Sequence, residues 1–246
     1  MHLLNYLFVS EKAFIFAMDF FISIMDNNIW SRFKAVFFDM DGVLYDSMPN
    51  HEYTWVNAFA KHGIAFEPED AYINEGRTGR GTINLVYNKL FGRDATENEI
   101  NSIYGLKTEL MKTCKVAPLM PCMQQLVAQL RACKKKVYVV TGSKQPTLMQ
   151  KLERDYGFDR EHIVCGADVI KGKPDPEPYL IALQRSGEEL ESCVVVENAP
   201  MGVRSAKAAG MFCIAVNTGK LSPEYLTAEG CDMLFDSTSE LVKFQH

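Results

Sequence analysis

A disulfide framework and a cysteine metal site are both missing from this sequence. Its seven cysteines (Cys114, Cys122, Cys133, Cys165, Cys193, Cys213 and Cys231) lie 8 to 32 residues apart, form no CxxC pair and leave one thiol over. That argues for a reduced, cytoplasmic protein. The five histidines show no metal spacing. There is no long basic run, and 26 basic against 31 acidic side chains leave a formal charge of −5. A nucleic-acid coat is therefore not expected, and an anionic substrate would have to be met by a local cluster of cations. Clean long apolar runs are absent too. Residues 1–25 are rich in Leu, Phe, Ile and Met, but Lys12 sits beside Glu11 and Asp19 interrupts the run. A signal peptide puts positive charge first, and a spanning helix needs about 20 uninterrupted apolar residues. The stretch reads as an upstream extension with Met25 a candidate start, or as an amphipathic helix packed on the body or on a membrane surface. Neither reading gives it a catalytic role. Internal repeats and low-complexity segments are lacking. Gly166 to Gly172-Lys173 has five residues between its glycines and Pro174 after the lysine, so it is no Walker loop, and Gly79-Arg80-Gly81 lacks the third glycine of a dinucleotide fingerprint.

What is present is globular: 47% apolar and 23% charged residues over 246 positions, enough for one large domain or two small ones. Lys34-Ala35-Val36-Phe37-Phe38-Asp39 is a short apolar run ending in an acid and a glycine turn, the pattern of a buried strand. Residues 49–115 then read as wholly helical. Trp55, Val56, Phe59 and Ala60 recur at helical spacing before Gly63, Ile83, Val86 and Leu90 before Gly92, and Thr96 with Glu99 forms a capping-box pattern ahead of Ile100, Ile103 and Leu110. After Pro118 and Pro121 a helix around 123–130 leads into a strand at 137–140. Strands near 163–165, 194–196, 213–216 and 233–235 then alternate with helices near 145–154, 176–186 and 200–209. Such alternation predicts an α/β fold, a parallel sheet covered on both faces, with the helical block inserted after the first strand.

Ligands of open α/β sheets sit at the carboxyl ends of the strands. Four clusters fall there or in a facing loop: Asp39-Met40-Asp41-Gly42, Thr141-Gly142-Ser143, Lys171-Gly172-Lys173-Pro174 and Glu197-Asn198. Each alone has a plain reading as a turn, a connection, a solvated loop or a helix start. Together they supply oxygen ligands for a hard cation such as Mg²⁺ and an ammonium for a transferring phosphoryl group.

In that order, the Asp39–Val43 run, Thr141, Lys173 and Glu197-Asn198 resemble the four signatures of the haloacid dehalogenase-like phosphatase superfamily. Gly-Lys-Pro-x-Pro-x-x-Tyr (172–179) and Glu-Asn-Ala-Pro-x-Gly-Val with Ala-Ala-Gly-Met (197–211) are similar to its β-phosphoglucomutase-like branch, which includes inorganic pyrophosphatase-type members. The resemblance implies a Rossmann-like core at 34–48 and 116–246, a helical cap at 49–115 and an N-terminal extension at 1–33. It implies that Asp39 is the nucleophile, that Asp41 is the acid and base, and that Thr141, Gly142, Ser143, Lys144 and Lys173 hold the phosphoryl group. Asp39, Glu197, Asn198 and the backbone carbonyl of Asp41 would hold Mg²⁺.

The branch usually carries Asp where this chain has Asn198, so one negative charge is missing. Glu75, in the cap loop Asn74-Glu75-Gly76-Arg77-Thr78-Gly79, is a candidate to restore it at the metal, against the alternative of a solvated loop glutamate. A cap residue there would favour a small substrate, inorganic pyrophosphate over a hexose phosphate. His51, Arg77 and Arg80 are further cap-side candidates for substrate, each with a surface residue as the alternative. If the mutase loop glycine corresponds to Gly76, its substrate-binding arginine falls on Gly79, with Arg80 one step off. The expected protein is a monomeric Mg²⁺-dependent phosphohydrolase acting on pyrophosphate or a small phosphorylated metabolite, without nucleic-acid or membrane partners. A β-phosphoglucomutase is the alternative. A phospho-accepting receiver module is about half this length and has no large cap, and a dead binding protein would have no use for Asp39, Asp41 and Lys173 together.

Overall fold

The computed structural model describes residues 29–144 and 147–244. The expectations for residues 1–25 lie outside them. Six strands, β1 (Ala35–Phe38), β2 (Lys136–Val140), β3 (Ile163–Val164), β4 (Cys193–Glu197), β5 (Phe212–Val216) and β6 (Met233–Phe235), form one parallel sheet in the order β3-β2-β1-β4-β5-β6. Their short apolar sequences follow from burial on both faces. Val36, Phe38, Val137, Val139, Val194, Val196, Ile214 and Val216 pack on one side, and Ala35, Phe37, Tyr138, Val140, Cys193, Val195, Cys213 and Ala215 on the other.

The first face is covered by α5 (Met123–Ala132), α6 (Thr147–Tyr156) and α10 (Thr238–Lys243), through Leu126, Leu130, Leu152 and Leu241. The second is covered by α7 (Glu177–Ser186), α8 (Pro200–Ala208) and α9 (Glu224–Thr227), through Tyr179, Ala182, Val203 and Leu226. Ile29, Trp30 and Phe33 are buried in the first cluster, so the packed body begins ahead of residue 34. The chain builds β1, β2 and β3 to one side, then returns to lay β4 against the free edge of β1. That switch point opens a crevice at the carboxyl ends of β1 and β4, where Phe38 pairs with Val196. No helix among the described residues is long and apolar enough to cross a membrane.

Between β1 and β2 stand α1 (Met48–Ala60), α2 (Pro68–Ile73), α3 (Gly79–Phe91) and α4 (Glu97–Thr113). They pack around their own buried cluster, in which the Phe59 and Phe66 rings stack 4.7 Å apart beside Trp55, Ile83 and Ile103. The chain enters and leaves this block through adjacent segments: Asp46 N donates to the Pro118 carbonyl and Met120 N to the Leu44 carbonyl, each at 2.9 Å. The Thr96 pattern is a real capping box. Its hydroxyl accepts from Glu99 N at 3.3 Å, and Glu99 Oε2 accepts from Thr96 N at 2.7 Å. Arg93 and Thr96 hold the Glu99 carboxyl down to about 2. Replacing Thr96 by Ala removes the cap of α4 at a cost of about 1 kcal/mol. The expected fall in thermal midpoint is about 2–4 °C, read by circular dichroism with no change in the fold.

Candidate active site

Three neighbouring strands end on one ammonium group. Lys173 Nζ donates to Asp39 Oδ1 at 2.5 Å just beyond β1, to the Val140 carbonyl at 3.0 Å at the end of β2, and to Glu197 Oε1 at 2.6 Å at the end of β4. The side chains of Lys173 and Glu197 are 1% exposed and that of Asp39 6%. Burial opposes a charged Lys173, but Asp39 and Glu197 outweigh it and hold the ammonium above the ordinary lysine range. Burial raises the Asp39 carboxyl well above its usual range, with Glu197 and Asp41 adding to the rise and Lys173 opposing it. The cluster carries more negative charge than one lysine neutralises.

Glu197, expected among the metal ligands, is committed elsewhere. Its Oε1 takes Lys173 and the Tyr179 hydroxyl at 2.8 Å, and its Oε2 takes the backbone N–H groups of Asn198 and Ala199 at 2.8 and 3.2 Å. A Cβ on Gly202 would fall 1.8 Å from Glu197 Oε1, so only glycine leaves room for this pose on the first turn of α8. With two donors on each oxygen, Glu197 acts as the counter-charge of Lys173 rather than as an open ligand. Asn198 and Asp39 differ: Asn198 Oδ1 and Asp39 Oδ2 are buried without any hydrogen-bond partner.

Asp41 follows on the same turn, 5% exposed. Its Oδ1 accepts from Ser47 Oγ at 2.5 Å and lies 3.5 Å from His51 Nε2. His51 Nδ1 lies 3.2 Å from Glu75 Oε2, so one imidazole joins the core turn to the cap loop. Asp41, His51 and Glu75 thus present ligand-type atoms within 4.8 Å of one another. Burial works against an ionised Glu75, but His51 and, farther off, Lys107 prevail and hold the carboxyl below the usual range. The cap loop is seated on the core. Gly76, at φ +85°, lies so close to Lys173 that a Cβ there would be 2.8 Å from its Cδ, and a Cβ on Gly142 would meet the Gly76 carbonyl at 2.9 Å.

Thr141 is buried at the end of β2, its hydroxyl accepting from Ser143 N at 3.2 Å. Gly142 and Ser143 line a cleft of about 720 Å³ together with Asp41, His51, Glu75 and Arg77. Arg77 is held by Asn74 Oδ1 at 3.1 Å. Lys144 is exposed, its stem beside Gly166. Arg80, expected on the substrate, is turned away from the cleft. Both its Nη atoms pair with the Glu97 carboxylate at 2.5 and 2.7 Å, and its side chain is 53% exposed.

Three residues of the site were not anticipated. Ser47 carries no local signal beyond its position six residues after Asp41. Tyr179 stands in the Gly-Lys-Pro run but nothing in that run points its hydroxyl at Glu197. Lys107 did leave a trace: it occupies the buried stripe of α4 after Ile100 and Ile103, where the period calls for an apolar residue. Burial pushes its ammonium below the ordinary range, against the pull of Glu75 and Asp41.

Lys173→Met leaves Asp39 and Glu197 buried without their counter-charge. Breaking a buried pair in this way costs about 3–5 kcal/mol, so the variant's urea midpoint is expected to fall far below wild type. A midpoint unchanged within error would mean that the three-way contact contributes little to the fold.

A family model described as haloacid dehalogenase-like hydrolase matches residues 33–210. Hexitol phosphatase A of Escherichia coli is 31% identical over 193 residues, which are 78% of this chain and 87% of that protein. The β-phosphoglucomutase of Bacillus subtilis is 28% identical over 220 residues, 85% of this chain and 91% of that one. A solved structure from Bacteroides vulgatus, provisionally described as a β-phosphoglucomutase, superposes with a TM-score of 0.82 at 41% identity, covering 92% of this chain and 94% of its own. The chain is an enzyme that belongs to the haloacid dehalogenase-like hydrolase family.

Proposed function

We propose that this enzyme is a Mg²⁺-dependent phosphohydrolase working through an aspartyl-phosphate, with inorganic pyrophosphate as its favoured substrate. The observation that carries the cation is the pair of buried, unpartnered oxygens on Asp39 and Asn198. Such atoms are costly unless something satisfies them. Both are hard oxygen donors, and the excess of carboxylate over ammonium calls for positive charge. The residues therefore fit Mg²⁺, held by Asp39, Asn198 and Asp41, with Glu75 a candidate to join them directly or through water. The bound ion would neutralise charge on the transferring phosphoryl group.

The chain's own groups do the rest. A carboxylate oxygen of Asp39 attacks phosphorus, and Lys173 beside it lowers the repulsion between two anions. The bond to the leaving oxygen breaks, and Asp41 gives that oxygen a proton. Asp41 then takes a proton from the water that attacks the aspartyl-phosphate, which releases orthophosphate and restores Asp39. Ser47 and His51 keep the Asp41 carboxyl turned to this task. Thr141 and the amides after it hold the phosphoryl oxygens. The seated cap loop keeps bulk water out and strengthens every charge interaction inside.

Pyrophosphate is favoured because Glu75, fixed by His51 against Asp41, takes up the cap side of the reacting centre and supplies the charge that Asn198 lacks. Arg80 is turned to Glu97, so of the two arginines only Arg77 lines the cleft. A hexose phosphate is the second reading, favoured by the relatives named above. The seven free cysteines accord with action in a reducing, cytoplasmic setting, and the monomer is taken as the working form.

The test is a panel of phosphorylated substrates with Mg²⁺, with Asp39→Asn as the blank. Pyrophosphate is expected to show the highest kcat/KM, and EDTA to abolish turnover. Glu75→Ala is expected to lower both pyrophosphate turnover and Mg²⁺ affinity by about 10- to 100-fold. Dependence on glucose 1,6-bisphosphate with hexose phosphates would establish the mutase instead, and an unchanged Glu75→Ala would remove Glu75 from the metal.

A further inference from the structure

The core grips the cap at a place separate from the two connecting segments. Beyond β5 the chain runs through Asn217-Thr218-Gly219-Lys220-Leu221 before it reaches α9. This segment is pinned at its base. Asn217 N donates to the Phe235 carbonyl at the end of β6 at 2.7 Å, and Asn217 Nδ2 donates to the Leu221 carbonyl at 3.2 Å. From that base it reaches the cap. Leu221 is buried in the cap's own apolar cluster, the one that holds Trp55, Phe59 and Tyr72. Lys220 Nζ donates to Glu52 Oε2 at 2.7 Å, and the same oxygen accepts from the Tyr72 hydroxyl at 3.0 Å. Gly219 lies against the Tyr72 ring, where a Cβ would fall 2.9 Å from Cδ1. Lys220 is 63% exposed and its ion pair is weak, so burial of Leu221 supplies most of the hold.

A further contact of the same segment runs inward. Thr218 Oγ1 donates to the Gly42 carbonyl at 2.6 Å. Gly42 follows Asp41 on the catalytic turn, at φ +90°, and lies so close to Asn198 that no Cβ would fit there beside Nδ2. The contacts close a circuit. Asp41 leads through Gly42 to Thr218, through Lys220 to Glu52, and back through the neighbouring His51, whose Nε2 lies 3.5 Å from Asp41 Oδ1. Backbone and side chain of the acid are thus held from two directions, and both holds depend on where 218–221 sits. No residue of the segment lines the cleft, so it bears on the reaction only through the groups it holds. Resting on the reading of Asp41 as acid and base, we propose that residues 217–221 form a strap that fixes the Asp41 turn only while the cap is seated, with Thr218 as its positioning residue. Lifting the cap draws Leu221 and Lys220 along or breaks them free, and either way Thr218 loses its fixed approach to the Gly42 carbonyl. The acid is then set for proton transfer in a closed site and loose in an open one, where bulk water has access.

The test uses the full chain with Mg²⁺ and either pyrophosphate or phenyl phosphate, whichever turns over faster. Thr218→Val removes the hydroxyl at nearly the same shape, and Thr218→Ser keeps it. The valine variant is expected to lose about tenfold in kcat with KM within about twofold, and the serine variant to recover most of that loss. Hydrogen exchange read by mass spectrometry gives a measure free of turnover. Amides of residues 40–46 are expected to exchange faster in the valine variant and not in the serine variant, while those of 48–73 stay as in wild type. Leu221→Ala is expected to speed exchange in both stretches, and its kcat loss to combine less than additively with that of Thr218→Val. If that cavity unfolds the cap, Lys220→Glu, which sets two carboxylates on the same contact, takes its place. Unchanged exchange at 40–46 in Thr218→Val, a loss that serine does not recover, or additive losses overturn the proposal. If no phosphate ester or anhydride is turned over, the phosphohydrolase reading fails by itself, and the exchange pattern alone decides the strap.

Discussion

The ends of three strands converge on a single lysine nitrogen. Parallel strands all deliver their carboxyl ends to one edge, and the side chains gathered there are mostly acids: Asp39 after β1, Glu197 at the end of β4. Without a cation at their meeting point, two buried carboxylates and a strand-end carbonyl would face one another in a low-dielectric interior. Lys173 reaches this point from a loop far along the chain and donates one proton to each of the three. Coulomb attraction at such distances far exceeds that at the surface, but only because each ion's desolvation is offset by good hydrogen bonds.

The surrounding details serve to keep that nitrogen in place. Tyr179 and the backbone amides of Asn198 and Ala199, just ahead of α8, hold Glu197 from behind, and Gly202 leaves the space for it. Burial and Glu197 keep the Tyr179 hydroxyl protonated, so it remains a donor. With Glu197 bound to the protein, the buried side-chain oxygens left without a partner among the described residues are those of Asp39 and Asn198. The protein thus separates two roles for its oxygens: those of Glu197 are all satisfied internally, whereas one on Asp39 and one on Asn198 lack a partner. The cap adds a third element, Glu75, brought to Asp41 by the imidazole of His51.

Much of this was legible in the chain. Local pattern located all six strands, the helical insertion and the Thr96 cap, because burial on two faces, a period near 3.6 and cap chemistry are written within a few residues of each other. The four strand-end clusters were legible because a parallel sheet gathers them at one edge whatever the order of its strands. That order itself was not readable, since no local signal says that β4 returns to the edge of β1. Nor was the choice between Arg77 and Arg80. They lie three residues apart in one loop-to-helix segment, and only the position of Glu97 on the next helix draws Arg80 outward. Tyr179 and Ser47 escaped notice because their partners are distant or the spacing common to many turns. Lys107 could have been found: a cation on the apolar stripe of an amphipathic helix contradicts its own period.

The paired crossing points of the chain between sheet and helical block have an evolutionary meaning. Because Leu44–Asp46 and Pro118–Met120 run side by side and exchange backbone hydrogen bonds, the sheet presents the same two adjoining ends whatever is spliced between them. A longer, shorter or unrelated insert could be accepted without disturbing strand register. Recognition of new compounds can therefore diversify by exchange of that module, while Asp39, Lys173 and Glu197 beneath it keep their mutual contacts.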